Sequence, residues 1–118
     1  MVSHKERQDI VSKVIEGIDN VEVDSSNLLT LDYAKSVGAC AIIRGVRSHK
    51  DFDAEMELFQ FNHTINNEIE TILLFPSANN LFLSSSSIKE LIMFNSSIDN
   101  YVPEVVKHEI HSKLKERL

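Results

Sequence analysis

The sequence predicts an α/β fold built on a parallel sheet. Two patterns predict it: stretches with apolar residues at helical spacing, and short continuous apolar runs that alternate with them. That alternation is the signature of strand–helix–strand units. The third observation is composition. The 118 residues are 42% apolar and 25% charged, which is ordinary globular usage, enough for one compact domain and too little for two.

Each element has a local cause. Ser3 followed by Glu6 fits a capping box, and Ile10, Val11, Val14, Ile15 and Ile18 continue it as one apolar helical stripe. Gly17 and Asn20 end that pattern. Residues 21–23 (VEV) read as a short strand. Leu28, Leu29, Leu31, Tyr33 and Ala34 suggest a second helix, closed by Gly38 as its C-terminal cap. Residues 39–43 (ACAII), lying between Gly38 and Gly45, read as a strand buried on both faces, with Cys40 a small core residue. In the next helix Phe52, Met56 and Phe59 share one face. Residues 69–75 (IETILLF) form the clearest strand, stopped by Pro76. A helix opens at the serine run 84–87 and continues through Ile88, Leu91 and Ile92. The last helix starts at Pro103, a favoured first helical position. It carries Val106, Ile110 and Leu114 as a stripe, and Lys113, Lys115 and Arg117 where the helix dipole favours cations. The count of three strands is small for this architecture, and the chain begins with a helix where such folds begin with a strand.

Composition also excludes function classes. One cysteine rules out a disulfide framework and a thiolate-rich metal site within one chain. No apolar run is long enough to span a membrane, and the N-terminus lacks the apolar core of a secretory signal. These facts favour a cytoplasmic location and no membrane partner. The net charge of −6 argues against nucleic acid, whose binders show a basic surplus. An acidic chain that binds a small anion has to gather its positive charge locally.

Two segments do so. Arg44, Gly45, Val46 and Arg47 follow directly on a predicted strand, and ligands in open α/β sheets bind beyond the carboxyl ends of strands. Two guanidiniums, with a glycine that lets the backbone approach, suit a phosphate-bearing ligand; a strand-end turn with solvated arginines is the other reading. Ser84, Ser85 and Ser86 begin a helix, where backbone N–H groups and hydroxyls hold anions. Simple capping also accounts for them, because Ser87 and Glu90 fit a second capping box. Both segments follow strands of one predicted sheet and are expected to converge on one ligand. Glu55 is placed to accept from a sugar hydroxyl or to orient an arginine, unless it is simply solvated. His108 and His111 share a helix face at the spacing of metal ligands, but no third ligand accompanies them. His4, His49 and His63 show no partner pattern. No Walker A, GxGxxG or GxSxG motif is present.

With residues 43–47 (IRGVR) as its clearest segment, the chain resembles bacterial phosphopantetheine adenylyltransferase. The matching segments run in order: residues 20–23, 29–34 and 42–47, the DFxxE pattern from Asp51 to Glu55, Asn62, residues 75–77, Ser84 to Ser86 with Lys89 and Glu90, and residues 102–104. The similarity covers nearly all 118 residues. It implies a Rossmann-like nucleotidyltransferase fold. It also implies adenylyl transfer from ATP to 4′-phosphopantetheine, giving dephospho-coenzyme A and pyrophosphate in coenzyme A synthesis. Mg²⁺ accompanies ATP in that family, and its members are usually hexamers.

The resemblance further implies that Thr30 and Arg44 contact phosphopantetheine. It implies that Gly45, Val46, Arg47, Glu55, Asn80, Leu81, Phe82, Leu83, Ser84, Ser85 and Ser86 contact ATP. The family's PGxFDPxTxGH-type motif does not occur in these residues, and no histidine stands in a TxGH context. The chain thus corresponds to the C-terminal two-thirds or so of the family domain, a single partial domain over residues 1–118. It contains no catalytic residue of its own and no metal ligands, and is expected to be nearly inactive alone. The alternatives are a non-catalytic nucleotide- or coenzyme A-binding module, and a subunit completed by an N-terminal fragment. Missing strands would leave open sheet edges that invite pairing.

Overall fold

A computed structural model describes residues 2–116. The elements are α1 (His4–Val14), α2 (Thr30–Ser36), β1 (Ala41–Gly45), α3 (His49–Ile65), β2 (Glu70–Leu74), a single 3-10 turn (Ala78–Asn80), α4 (Ser85–Met93) and α5 (Glu104–Glu116). They fall into two compact units: Ser26–Phe82, and Met1–Ser25 with Leu83–Leu118.

The first unit is the α/β part. β1 and β2 pair in parallel, with Ala41 opposite Glu70 and Gly45 opposite Leu74. The ladder extends at both ends: the Glu70 N–H donates to the Cys40 carbonyl at 3.1 Å, and the Val46 N–H to the Leu74 carbonyl at 2.9 Å. α3 makes the crossover between the two strands, as a parallel pair requires. Side chains alternate across a strand, so Ile42, Arg44, Thr71 and Leu73 share one face. The core lies on that face: Leu31 and Ala34 of α2 pack with Ile69, and Ala39 and Ile42 close around them. α2 ends as its glycine predicts. Gly38 has φ +72°, the Ala39 N–H reaches the Ala34 carbonyl at 2.9 Å, and the Gly38 N–H reaches Lys35 at 3.1 Å. This is a Schellman cap, whose left-handed position favours glycine, which has no Cβ to crowd it.

The second unit is helical. Ser3 caps α1 through Oγ, which accepts from the Glu6 N–H at 3.1 Å. Two ion pairs join α1 to α5: Lys113 with Glu6 at 2.6 Å, and Lys13 with Glu109 at 2.8 Å. Their residue numbers run in opposite directions, so the helices are antiparallel. α4 closes on Asn95 (φ 57°) in the same Schellman geometry, with Ser96 N–H to the Leu91 carbonyl at 2.8 Å. Ile98 is buried and anchors the following loop, and Asp99 pairs with Lys107.

Several expectations are corrected. Residues 21–23 are not a strand; two valines, one of them exposed, offer too little apolar surface to dock an extended segment. The sheet of the described residues therefore has two strands. Residues 39–43 are not buried on both faces: Ile43 is 64% exposed and Cys40 is exposed. The unit's helices α2 and α3 both contribute to the Ile42 face, which leaves Ile43 and Ile72 open. Phe52 and Met56 are exposed. The inward face of α3 instead carries Asp51, Glu55, Phe59 and Asn62, because Glu55 turns toward Arg44. The α1 stripe stops at Val14, short of Ile18. Pro103 lies one residue before α5, where its carbonyl accepts the Lys107 N–H at 3.0 Å. Arg117 lies outside the described residues.

Candidate functional site

Arg44 is the last long side chain of β1 before Gly45. The alternation of the strand aims it at α3, where Glu55 stands one and a half turns into the helix. Arg44 Nε donates to both Glu55 carboxylate oxygens at 3.0 Å, and Nη2 donates to Oε1 at 2.8 Å. The Glu55 side chain is 11% exposed and the Arg44 side chain 44%. The carboxylate is therefore the buried half of the pair, and the guanidinium its solvent-facing half. Glu55 holds Arg44 above its already high ordinary pKa, through these hydrogen bonds first. Of the five N–H donors of a guanidinium, the pair engages Nε–H and one on Nη2. The remaining three, on Nη1 and Nη2, form the outward edge. A fixed, half-exposed fork of this kind matches two phosphate oxygens.

Thr30, Asn62 and Thr71 line the same narrow cleft as Arg44 and Glu55, with a volume of about 10 Å³. That is room for little more than a water molecule. Any ligand of this subsite therefore meets Arg44 at its outer edge and Thr30, which is exposed, at the rim. Thr71 went unnoticed in the sequence. Its place follows from the strand register, which sets it opposite Ile42 and so on the face of Arg44; no local signal announces this.

Beyond the end of β1 the chain is held tightly. The Arg47 N–H donates to Asp51 Oδ2 at 3.1 Å, Asp51 Oδ2 lies 3.5 Å from Arg47 Nε, and Ser48 caps α3 by accepting the Asp51 N–H at 3.2 Å. Val46 is 1% exposed and its N–H is taken by the Leu74 carbonyl, so neither its side chain nor its N–H is presented to a ligand. Gly45 is different. Nothing lies within 4 Å of the point where a Cβ would sit, and its φ is not positive. Neither packing nor backbone conformation demands glycine here, and an added Cβ would meet open space.

Asn80 ends the 3-10 turn, its N–H bonded to the Ser77 carbonyl at 2.9 Å, and Leu81 and Phe82 follow as half-exposed residues. These three belong to the α/β unit, whereas Leu83, Ser84, Ser85 and Ser86 belong to the helical one. Within the serine run the roles divide. Ser84 Oγ accepts the Ser87 N–H at 3.1 Å, and the Ser84 N–H donates to Ser87 Oγ at 2.9 Å. The capping box thus spans Ser84 and Ser87, not Ser87 and Glu90 as the spacing suggests. Ser85 and Ser86, at the first two helical positions, keep exposed side chains, and their N–H groups are among those a helix leaves without an internal partner.

Among the described residues no group of three or more His, Cys, Asp or Glu side chains is placed to hold a metal ion. No helix among them is long and apolar enough to cross a membrane. The cytidylyltransferase-like family model matches residues 1–91. This match takes in β1 with Arg44, α3 with Glu55, the serine run and most of α4. A parallel strand–helix–strand core, a guanidinium fork at the carboxyl end of its first strand and a match over three quarters of the sequence agree, and the chain belongs to the cytidylyltransferase-like family, with its Rossmann-like α/β fold and nucleotidyltransferase activity in general.

Proposed function

We propose that this chain belongs to a phosphopantetheine adenylyltransferase, which moves AMP from ATP to 4′-phosphopantetheine with release of pyrophosphate. The observation that carries this reading is the Arg44 fork. One edge is fixed by a buried carboxylate, and the other is open at the end of β1. Arg44 and Thr30 would hold the phosphate end of phosphopantetheine. Within the α/β unit Gly45, Arg47 and residues 80–82 would take ATP; within the helical unit Ser85 and Ser86 offer N–H and hydroxyl donors suited to phosphates. Glu55 serves this site by holding Arg44, so its place in the ATP set is indirect. The pantetheine phosphate would attack the α-phosphorus in line as pyrophosphate leaves. Catalysis would then be positioning and charge stabilisation.

Mg²⁺ would accompany ATP on the nucleotide's phosphates. A cytoplasmic hexamer is part of the same proposal. A second reading, binding without turnover, concerns residues 1–118 taken alone, where none of the five histidines stands in a TxGH context. Residues 1–118 alone are expected to turn over at least about 10²-fold more slowly than an enzyme with that transition-state donor.

Calorimetric titration with 4′-phosphopantetheine tests the proposal. Saturable binding is expected, weakened about tenfold or more by Arg44→Ala, as for loss of a hydrogen-bonded charge. Binding that Arg44→Ala leaves untouched overturns it. Pyrophosphate release then separates the two readings.

A further inference from the structure

In the helical unit, α1, α4 and α5 surround an open cavity of about 670 Å³, within the range of roughly 300–1,000 Å³ typical of small-ligand sites. Its walls are apolar, formed by Ile10 of α1, Ile88 and Ile92 of α4, and Val106 and Ile110 of α5. Its charged lining is one-sided: Arg7, Lys89 and Lys113 against the carboxylate of Glu109. Lys13 already engages that carboxylate at 2.8 Å. A chain with net charge −6 thus turns cationic around this apolar hollow.

Polar and apolar groups are also ordered along the helices. Ser84 and Ser85 begin α4, and Ile88 and Ile92 follow one and two turns later. Arg7 precedes Ile10 by a turn on α1, and Lys113 follows Ile110 by a turn on the antiparallel α5. Glu6 bridges to Lys113, so both cations stand at one end of this helix pair with the isoleucines beyond them.

We propose that this cavity binds a single-chain amphipathic anion, an alkyl carboxylate of medium length. Its head would sit at the Ser85 end of α4, within reach of the Lys89 ammonium one turn on along the same face, and its tail would lie against the isoleucine walls. From Ser85 to Ile92 the wall runs about 10 Å at 1.5 Å per residue, the length of a chain of roughly eight to ten carbons. Charge complementarity selects the head, and the 670 Å³ admits the tail. The inference goes beyond the transferase reading, with which it shares Leu83, Ser84 and Ser85 as lining residues.

Titration of the full chain with decanoate, octanoate and decyltrimethylammonium, followed by methyl NMR, tests it. Decanoate is expected to bind saturably and shift the methyls of Ile10, Ile88, Ile92, Val106 and Ile110. Octanoate should bind about tenfold more weakly, since each buried methylene strengthens binding about three- to fourfold. The cation with the same tail should bind at least about tenfold more weakly than decanoate, and Lys89→Glu should weaken decanoate to a similar degree. Val106→Phe, which fills the hollow, should weaken it with unchanged helix content by circular dichroism. Equal binding of the cationic detergent, an unaffected Lys89→Glu variant, or shifts confined to Ile43 and Ile72 on the open sheet face would each overturn the proposal.

Discussion

Replacing Glu55 probes the site at its support. The carboxylate accepts three hydrogen bonds from Arg44, between 2.8 and 3.0 Å. Glutamine in its place keeps one acceptor oxygen, turns an NH₂ toward guanidinium donors and removes the charge. A hydrogen bond to a charged group contributes about 1.5–3 kcal/mol, and the bonds of one pair are not additive. The Arg44 side chain is 44% exposed, so water replaces part of what is lost. Together these place Glu55→Gln at about 1–2 kcal/mol of stability. Arg44→Ala strands a carboxylate that is only 11% exposed and should cost about 1–3 kcal/mol, less than the loss of a partner from a fully buried pair. Replacing both by methionine removes charge and partner together. It should cost less than the two single substitutions summed, because an apolar pair of similar size leaves nothing unpaired. Urea denaturation followed by circular dichroism measures these variants, and the double methionine variant closes a double-mutant cycle with the single variants Glu55→Met and Arg44→Met. Coupling of about 1 kcal/mol or more is expected; effects that add within about 0.3–0.5 kcal/mol would refute the idea that Glu55 positions Arg44. In the ligand assay, Glu55→Gln should weaken phosphopantetheine binding through a misplaced Arg44, and by less than Arg44→Ala does.

Gly45→Ala is expected to separate stability from binding. Nothing lies within 4 Å of the added Cβ, so stability should stay level or rise by up to about 1 kcal/mol, while nucleotide binding measured by calorimetry falls; a variant that binds ATP normally would show that the backbone there is not approached. The α1–α5 pair should have a bounded pH range. Lys113 holds the Glu6 carboxyl below its ordinary pKa, and Lys13 does the same for Glu109, so their contribution is present above the ordinary glutamate value of about 4.3 and is lost as pH falls through the lowered values. Glu109 in turn raises Lys13, so that contribution disappears only as pH rises through the raised lysine value. The double variant Glu6→Gln, Glu109→Gln should melt below the native protein at pH 7, and the gap should close toward pH 3; a gap that persists in acid would exclude these ion pairs as its source.

Chemistry confined to a few neighbouring residues was legible in the sequence. Ser3 caps α1, Gly38 caps α2 in the left-handed conformation its missing Cβ permits, and Pro76 lies beyond the end of β2. In each case the cause lies within a turn or two of its effect. The segment around residues 43–47 was legible for a similar reason, since a glycine between two arginines after an apolar run is a local pattern. Glu55 was only half legible. Its spacing allowed a role toward an arginine, but the Phe52 and Met56 pattern suggested a different inward face for α3. The helix is turned by an ion pair eleven residues apart in sequence, which periodicity does not register.

By itself, the sequence determined the alternation of elements, most of their caps and the gathering of cationic and hydroxyl groups at strand and helix ends, because these depend on backbone sterics and near-neighbour hydrogen bonds. Tertiary structure alone decided which edge of Arg44 is held and which is presented, that Thr71 joins its face, that Val46 is buried and that Ile43 is open. Those outcomes depend on strand register and on which face the helices cover, and both are fixed by contacts between residues far apart along the chain.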